Sequence, residues 1–346
     1  MKIALISDAW RPQINGVVTT LTQTCEELRR RGHAVEAFTP DQFRNWPCPG
    51  YAEIRLALGC GRKLAIRLDE FQPDAIHIAT EGPLGLAARS YCRKRRLPYT
   101  TSFHTRFPEY LHLRSHLPLS WSYGFLRWFH SKSQKVMVAT PTLVEELKAR
   151  GFQNPVLWSR GVDTELFCPR SKNHLPDPRP IFLYAGRVAI EKNIETFLKL
   201  DLPGVKYIVG DGPQREDLEQ QYPQARFVGY KVGEELACTI AAADVFVFPS
   251  LTDTFGLVML EALACGVPVA AFPVQGPSDV ILSEDIGCLD NNLQAAAMKA
   301  LSLRPEDCRE YALGFAWQHC VRQFENNLAP IPKASPRSVA WWQRYS

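Results

Sequence analysis

Residues 245–272 read VFVFPSLTDTFGLVMLEALACGVPVAAF, and this stretch decides the fold class. The β-branched and aromatic run Val245–Pro249 predicts a buried strand, and the apolar run Val267–Phe272 predicts another. Between them, Gly256–Ala264 has the composition of a helix that begins after a loop. A strand, a helix and a further strand in succession indicate a parallel sheet whose strands are joined by crossover helices.

The same alternation runs through the whole chain of 346 residues. The other strands predicted from short apolar runs are Ile3–Ser7, Val35–Thr39, Ala75–Thr80, Tyr99–His104, Val136–Thr140, Val156–Ser159, Ile181–Ala185, Val205–Val209 and Ala225–Val228. Helical patterns separate them, most clearly at Val17–Arg31 and Pro83–Arg95, and a last long helix is predicted at Glu306–Asn327.

Four prolines between Phe167 and Pro180 predict a linker between two strand–helix series. The fold class is therefore α/β, with two Rossmann-like domains at residues 1–165 and 166–327. Residues 328–346 form a tail rich in Pro, Trp and Arg, which we expect to pack back on the N-terminal domain.

Composition excludes several classes of protein. Hydrophobic residues make up 46% and charged residues 22% of the chain, which excludes wholesale disorder. No apolar run approaches the length of a secretory leader or a spanning helix, and ten scattered cysteines lack the spacing of a zinc site. We therefore expect a cytoplasmic protein with free thiols, no cofactor and no metal.

Charge is unevenly distributed along the chain. Residues 1–165 hold 23 basic and 15 acidic side chains, whereas residues 166–346 hold 17 and 21. Between residues 91 and 135 there are nine basic residues and one acidic residue. This asymmetry indicates that the N-terminal domain meets an anionic partner.

Cationic residues follow one strand of the C-terminal domain. Arg187 and Lys192 lie directly after Ile181–Ala185, at the predicted start of a helix. Basic side chains and free backbone N–H groups at such a place can neutralise a diphosphate. The alternative is solvated charge at a helix start, and the residues alone do not decide between the two.

Two carboxylates follow the predicted strand Val245–Pro249. They are Asp253 and Glu261, with seven residues between them. Asp253 lies in the loop after the strand, and Glu261 lies in an otherwise apolar helix, where an ionised carboxylate requires a partner. The two can address different parts of one elongated ligand. An N-cap Asp beside an unrelated Glu is the alternative for either residue alone.

These residues, in this order, resemble the retaining GT-B glycosyltransferases of glycosyltransferase family 4. The resemblance runs from residue 3 to about residue 325 and is carried by Asp8…Pro12…Asn15-Gly16-Val17, Arg160-Gly161-Val162-Asp163…Phe167-Cys168-Pro169, Gly186-Arg187…Glu191-Lys192, Gly210-Asp211-Gly212-Pro213, Asp253–Glu261 and Pro268-Val269…Gly276-Pro277. The family's Glu-x7-Glu pair here begins with Asp253. The sequence Thr-Asp-Thr-Phe-Gly resembles the branch that glycosylates lipids, which includes sulfoquinovosyl-, mannosyl- and glucosyltransferases.

The resemblance implies a nucleotide-sugar donor bound by the C-terminal domain. Glu261 would bind the ribose hydroxyls and Asp253 the hydroxyls of the sugar, while Arg187 and Lys192 would neutralise the diphosphate. The other residues expected to contact the donor through their backbone are Gly16, Gly186, Gly210, Phe255, Gly256 and Leu257. UDP-glucose and UDP-glucuronate are favoured as donors, and GDP-mannose remains open.

His104 follows a strand of the N-terminal domain, and so faces the same cleft. A lone His is more often structural, but the resemblance implies that this one lies near the reacting sugar and orients or polarises it. The catalytic set is then His104, Arg187, Lys192 and Asp253, with no protein nucleophile. The donor phosphate would accept the proton of the acceptor hydroxyl.

A basic and aromatic surface is predicted in the N-terminal domain. Its members are Arg93, Lys94, Arg95, Arg96, Trp121, Phe125 and Trp128. Basic residues interleaved with Trp and Phe favour contact with an anionic membrane, although a solvated face over core aromatics has the same composition. No nucleic-acid module is present, and nucleic acid is not expected as a partner.

The sequence therefore predicts a peripheral enzyme of the inner membrane face that moves a hexose to a lipid such as diacylglycerol. The same chemistry on a lipid-linked or polysaccharide glycan is the alternative, and a non-catalytic sugar-binding or scaffold protein is a remote one. An NAD-dependent oxidoreductase is weaker still, because Gly210-Asp211-Gly212 lacks the third glycine of the dinucleotide motif.

Overall fold

The computed structural model describes residues 1–13, 15–48, 51–109, 118–253 and 255–332. Most of the predicted tail, residues 333–346, lies outside the described residues, as do residues 110–117 of the basic and aromatic segment.

The N-terminal half is built on a parallel sheet. Its strands are β1 (Lys2–Ile6), β2 (Ala34–Phe38), β3 (Asn45–Cys48), β4 (Tyr51–Ala57), β5 (Ala75–Ile78), β6 (Thr100–Phe103), β7 (Val136–Val138) and β8 (Pro155–Leu157). The described sheet has the order β2-β1-β5-β6-β7-β8, and β3 and β4 form a separate antiparallel hairpin. The order reverses between β1 and β5, so the loops after these two strands diverge and leave a crevice.

The helices of this half are α1 (Gly16–Arg30), α2 (Gly61–Phe71), α3 (Pro83–Arg95), α4 (Leu119–His130) and α5 (Pro141–Ala149). Asn15 starts α1, because its side-chain oxygen accepts hydrogen bonds from the backbone N–H of Val17 and Val18, each at 3.0 Å. Asp8, at the end of β1, does the same for α3, because its carboxylate accepts from the N–H of Leu84 at 2.9 Å. Both helices are thereby fixed to the loops that follow β1.

The C-terminal half repeats this plan. Its strands are β9 (Ile181–Ala185), β10 (Val205–Val209), β11 (Arg226–Gly229), β12 (Val245–Phe248), β13 (Val269–Ala271) and β14 (Gly287–Leu289). Their order is β11-β10-β9-β12-β13-β14, and all described pairs are parallel. The order reverses between β9 and β12, both of which are buried along their whole length. This is where an open α/β sheet binds its ligand.

The helices of this half are α6 (Ile194–Leu198), α7 (Arg215–Gln221), α8 (Gly233–Ala241), α9 (Leu257–Ala264), α10 (Pro277–Val280), α11 (Leu293–Ala300), α12 (Pro305–Leu313) and α13 (Trp317–Asn327). The two halves give the α/β fold with two Rossmann-like domains that the sequence predicted.

The last helix differs from its prediction in length and in position. The sequence predicts one helix at Glu306–Asn327 in the C-terminal domain, whereas the structure has α12 and α13 separated by a break. Trp317, Val321 and Phe324 of α13 pack into the core of the N-terminal half with Ile3 and Leu5 of β1. The chain therefore returns to its first domain, because the apolar face of α13 is buried there.

The first residues of the predicted tail continue along the N-terminal half. The backbone N–H of Ile331 donates to the carbonyl of Asp74 at 2.7 Å, and Ala75 and Pro330 form an isolated β-bridge. Residues 328–332 thus lie beside the start of β5, and Leu328 and Ile331 pack against the core of the N-terminal half.

Candidate active site

Lys192 and Asp253 meet at the point where the order of the second sheet reverses. Lys192 Nζ lies 2.5 Å from Asp253 Oδ1, and both side chains are mostly buried, with exposed fractions of 22% and 14%. One residue follows β9 and the other follows β12, so the parallel pairing of these strands brings them together. Among the described residues, no donor reaches the second carboxylate oxygen of Asp253, which leaves it available to a hydroxyl.

The two loops that carry this pair are joined by further hydrogen bonds. Asn193 Nδ2 donates to the carbonyl of Pro249 at 3.1 Å, and Ser250 Oγ donates to the carbonyl of Glu191 at 3.4 Å. The hydroxyl of Tyr184, a residue of β9, donates to the carbonyl of Arg187 at 2.9 Å and so fixes the turn that follows this strand. The site is therefore supported by β9 and β12 together.

Gly256 leaves room beside the start of α9. Its φ of 82° is in the left-handed region, and a Cβ atom there would lie 2.7 Å from the methyl group of Met259 and 2.9 Å from the ring of Phe248. Only glycine satisfies both conditions at this position. Phe255 before it is buried in the core of the C-terminal half, and Leu257 after it is half-buried as the first residue of α9.

Gly186 and Gly210 bring two further turns close together. They follow the adjacent strands β9 and β10, and a Cβ atom on Gly210 would lie only 1.8 Å from the carbonyl oxygen of Gly186. Glycine is thus required for the close approach of these two backbones.

Glu261 lies in the second turn of α9, within the apolar segment that the sequence indicated. Burial raises the pKa of its carboxyl to about 7. Among the described residues, no charged side chain lowers this pKa in compensation. A ligand that donates hydrogen bonds would favour the ionised form.

The two halves approach each other near Gly16. A Cβ atom on this residue, the first of α1, would lie 3.2 Å from Leu257 Cδ1 of α9. Thr142 of α5 and Asp279 of α10 form a second contact, a hydrogen bond between their side chains. The start of α1 therefore faces the start of α9 across the cleft, where the sequence placed both in the donor site.

His104 lies directly after β6 and is buried. Its Nδ1 atom lies 3.2 Å from Nη2 of Arg160, a residue not included among the predicted site residues. Burial lowers the pKa of His104 well below its usual value, and the positive charge of Arg160 lowers it further. Of the predicted site residues, Lys192 contacts Asp253 and Gly16 approaches Leu257, whereas His104 pairs with Arg160.

The predicted membrane residues lie on α3 and α4. Trp121, Phe125 and Trp128 occupy one exposed stripe of α4, with exposed fractions of 73%, 43% and 49%. The four basic residues Arg93, Lys94, Arg95 and Arg96 end α3 and are exposed.

Arg89 joins the two helices of this surface. Its guanidinium lies 4.0 Å from the ring of Trp128 and donates to the carbonyls of Trp128 and Phe129, each at 2.8 Å. Since Arg89 is one turn before Arg93, the basic end of α3 and the aromatic stripe of α4 lie close together.

A cavity of about 340 Å³ lies beside the loop that leads to α1, and sequence reasoning missed it. It is lined on one side by residues Trp10–Gln13 and on the other by Pro40, Asp41, Asn45 and Arg55. Its residues come from three segments, which no local motif connects.

Within the part of the chain that the structure describes, no group of three or more His, Cys, Asp or Glu side chains could hold a metal ion. No helix among these residues is long and apolar enough to cross a membrane.

Family models match both halves of the chain. The model of Glycosyltransferase Family 4 matches residues 14–166, and the model of glycosyl transferases group 1 matches residues 179–304. The solved structure of sucrose-phosphate synthase from Thermosynechococcus elongatus has a TM-score of 0.76 and 25% identity, and the match covers 94% of this chain and 97% of that one. The fold and the site thus define a glycosyltransferase of the GT-B class.

Two curated relatives of known activity are similar to this chain over most of its length. A GDP-mannose-dependent alpha-mannosyltransferase from Mycobacterium tuberculosis is 30% identical over 316 residues, covering 84% of this chain and 83% of the relative. An alpha-monoglucosyldiacylglycerol synthase from Streptococcus pneumoniae is 28% identical over 362 residues, covering 90% and 81%. The chain belongs to glycosyltransferase family 4, as its motifs indicated, and is a hexosyltransferase.

Proposed function

We propose that this enzyme transfers a hexose from a nucleotide sugar to a hydroxyl of a membrane lipid such as diacylglycerol, with retention of anomeric configuration. The observation that carries the proposal is the Lys192–Asp253 pair at the point where the order of the second sheet reverses. A relative whose name is alpha-monoglucosyldiacylglycerol synthase supports the lipid acceptor.

The donor lies along the carboxyl ends of β9 and β12 in this proposal. Glu261 accepts hydrogen bonds from the ribose hydroxyls, and the second oxygen of Asp253 accepts one from the sugar. Lys192 and Arg187 neutralise the diphosphate, together with N–H groups at the start of α9. Lys192 is already held in place by Asp253, so little side-chain entropy is lost when the diphosphate arrives.

The reaction in this proposal is a displacement on one face of the sugar. The acceptor oxygen forms a bond to the anomeric carbon while the bond from that carbon to the diphosphate oxygen breaks. The hydroxyl proton passes to the departing diphosphate, whose charge Lys192 and Arg187 stabilise. His104, which is neutral because it is buried beside Arg160, orients the sugar through a hydrogen bond and does not attack it.

The candidate donors in this proposal are UDP-glucose, UDP-glucuronate and GDP-mannose. The sequence analysis favours the two uridine donors, and the name of the mannosyltransferase relative supports GDP-mannose. The test is to incubate the purified protein with diacylglycerol in anionic vesicles and each radiolabelled donor separately, and to resolve the lipids by thin-layer chromatography. A labelled glycolipid with one donor is expected. Donor hydrolysis without a lipid product would contradict the lipid acceptor and favour a glycan.

We also propose that the surface formed by the end of α3 and the stripe of α4 binds the inner face of an anionic membrane. Each basic residue near such a surface contributes about 1 kcal/mol, and the exposed indoles of Trp121 and Trp128 suit the interfacial region. Changing both to Ser should abolish sedimentation with anionic vesicles. The matched control is Leu282→Ser, which alters a side chain that is 69% exposed in the other half. Equal sedimentation of all three proteins would contradict the proposal.

A further inference from the structure

Arg160 is a buried cation, and its hydrogen bonds within the described residues go to backbone carbonyls and to one imidazole. Its Nη1 atom donates to the carbonyl of Trp158 at 2.6 Å, and its guanidinium lies 4.8 Å from the Trp158 ring. Burial lowers the pKa of Arg160 to about 10, so the group stays charged at neutral pH. A buried charge is costly to maintain, which makes its other contact informative.

That contact is with the ring of His104. The distance from Arg160 Nη2 to His104 Nδ1 is 3.2 Å. A guanidinium has donors and no acceptor, so Nδ1 of the imidazole must accept this hydrogen bond through its lone pair. The proton of a neutral His104 is then on Nε2. A proton on Nδ1 would remove the bond, and a charged imidazolium would face a cation.

The surroundings hold this arrangement in place. The ring of Trp158 packs edge-on against the ring of His104, with their centroids 5.5 Å apart. The backbone that carries Arg160 is fixed by Gly161, where a Cβ atom would lie 2.6 Å from the Trp317 ring of α13. The returning helix α13 thus supports the residue that contacts His104.

Other titratable groups near this pair are His77 and Cys320. His77 is buried, and its two ring nitrogens lie 2.9 Å from Thr100 Oγ1 and 2.7 Å from Ser102 Oγ. Burial lowers the pKa of His77 to about 3, and burial raises that of the Cys320 thiol to about 11. Both are therefore neutral across the working range of pH. Among the described residues, the positive charge that lowers the pKa of His104 is that of Arg160.

We infer that Arg160 is a positioning residue, which holds His104 as the neutral tautomer with its proton on Nε2 and so makes Nε2 the hydrogen-bond donor of the ring. The functional part of this inference rests on the proposed role of His104, because a tautomer matters only if the ring contacts the substrate. The tautomer itself depends on the geometry of the pair alone. The two parts can therefore be tested separately.

The first experiment reads the tautomer without using activity. Long-range ¹H–¹⁵N correlation spectra of the full-length protein are recorded between about pH 5.5 and 8, and the His104 signals are identified by their loss in His104→Gln. We expect a neutral ring with a protonated Nε2 throughout this range. A proton on Nδ1, or a titrating imidazolium, would overturn the inference even if the enzyme had no measurable activity.

The second experiment measures the consequence for catalysis. Arg160→Gln should lower kcat by about 10- to 100-fold, the range for one hydrogen bond to a charged group, with a smaller change in KM. The variant should also gain an acid limb in its pH profile, because His104 can then be protonated more readily. Arg160→Lys keeps the charge and should restore part of the activity and remove the acid limb.

The matched control is Arg322→Gln, which changes an exposed arginine of α13. It should leave both kcat and the pH profile at their wild-type values. If Arg160→Gln folds and its pH profile is that of the wild type, the positioning role is wrong. Should Arg160→Gln fail to fold, Arg160→Lys and the spectra of the wild-type protein still decide the question.

Discussion

Glu261 provides a quantitative test of the site, because its pKa links folding, donor binding and pH. Burial raises the pKa of this carboxyl from 4.5 to about 7. Between these two values the folded protein holds a proton that the unfolded chain has lost. The free energy of unfolding therefore falls as pH rises from 4.5 through 7, and above pH 7 the full penalty applies.

The penalty is about 3 kcal/mol, from 1.36 kcal/mol for each pH unit between the two values. Glu261→Gln keeps the shape of the side chain and removes the charge. We expect the variant to match the wild type near pH 4.5 and to be more stable at pH 8. The expected rise in Tm at pH 8 is about 5 °C or more.

Thermal unfolding of both proteins at several pH values measures this difference, with Glu310→Gln on the exposed side of α12 as the control. The control should show no pH-dependent difference from the wild type. A Tm difference for Glu261→Gln that is the same at pH 5 and pH 8 would refute the reasoning.

The same carboxyl predicts how donor binding depends on pH. Ribose hydroxyls donate to the ionised form, and at pH 6 about one-tenth of the carboxyl is ionised when its pKa is about 7. We expect the wild type to bind its nucleotide sugar about tenfold more weakly at pH 6 than at pH 8, measured by calorimetry without acceptor. Equal affinities at the two pH values would contradict the proposal that Glu261 binds the ribose hydroxyls of the donor.

Three further predictions follow from single contacts. Lys192→Met should lower kcat by on the order of 100-fold or more, because the leaving diphosphate loses its stabilising charge. The control Lys199→Met changes an exposed lysine and should leave kcat unchanged. Equal kcat values for the two variants in a radiolabelled-donor assay would contradict this prediction. Gly256→Ala should destabilise the protein by about 1–3 kcal/mol in urea unfolding, because φ is 82° and the new Cβ meets Met259. An unchanged midpoint would be inconsistent with that geometry. Arg89→Met should cost about 1–3 kcal/mol by leaving the buried carbonyl of Phe129 in α4 without its donor, and should weaken sedimentation with anionic vesicles.

Much of the fold is readable from the sequence. Alternating apolar runs predict the two parallel sheets, and the predicted helix Pro83–Arg95 has the same bounds as α3. The hairpin of β3 and β4 and the helix α2 were not predicted, because Gly61–Phe71 mixes charged and apolar residues without a clear start signal. Local patterns identify a strand or helix only where its buried face dominates the segment.

The sequence predicts those residues of the candidate site that lie directly after a strand. The carboxyl ends of parallel strands meet at one edge, so Lys192 and Asp253 could be assigned to one donor site from sequence although they are 61 positions apart. The 2.5 Å contact between them, and the unpartnered oxygen of Asp253, required the structure.

What the sequence alone determined is the order of elements and the loops that carry the chemistry, because both depend on local periodicity and on strand ends. Only the tertiary structure decided the pairing of His104 with Arg160, the return of α13 to the N-terminal half and the meeting of Arg89 with Trp128. The sequence of an apolar or charged face predicts that the face requires a partner, but it does not predict which distant segment provides that partner. That choice is made by packing, when two complete domains and a returning helix fill the same space.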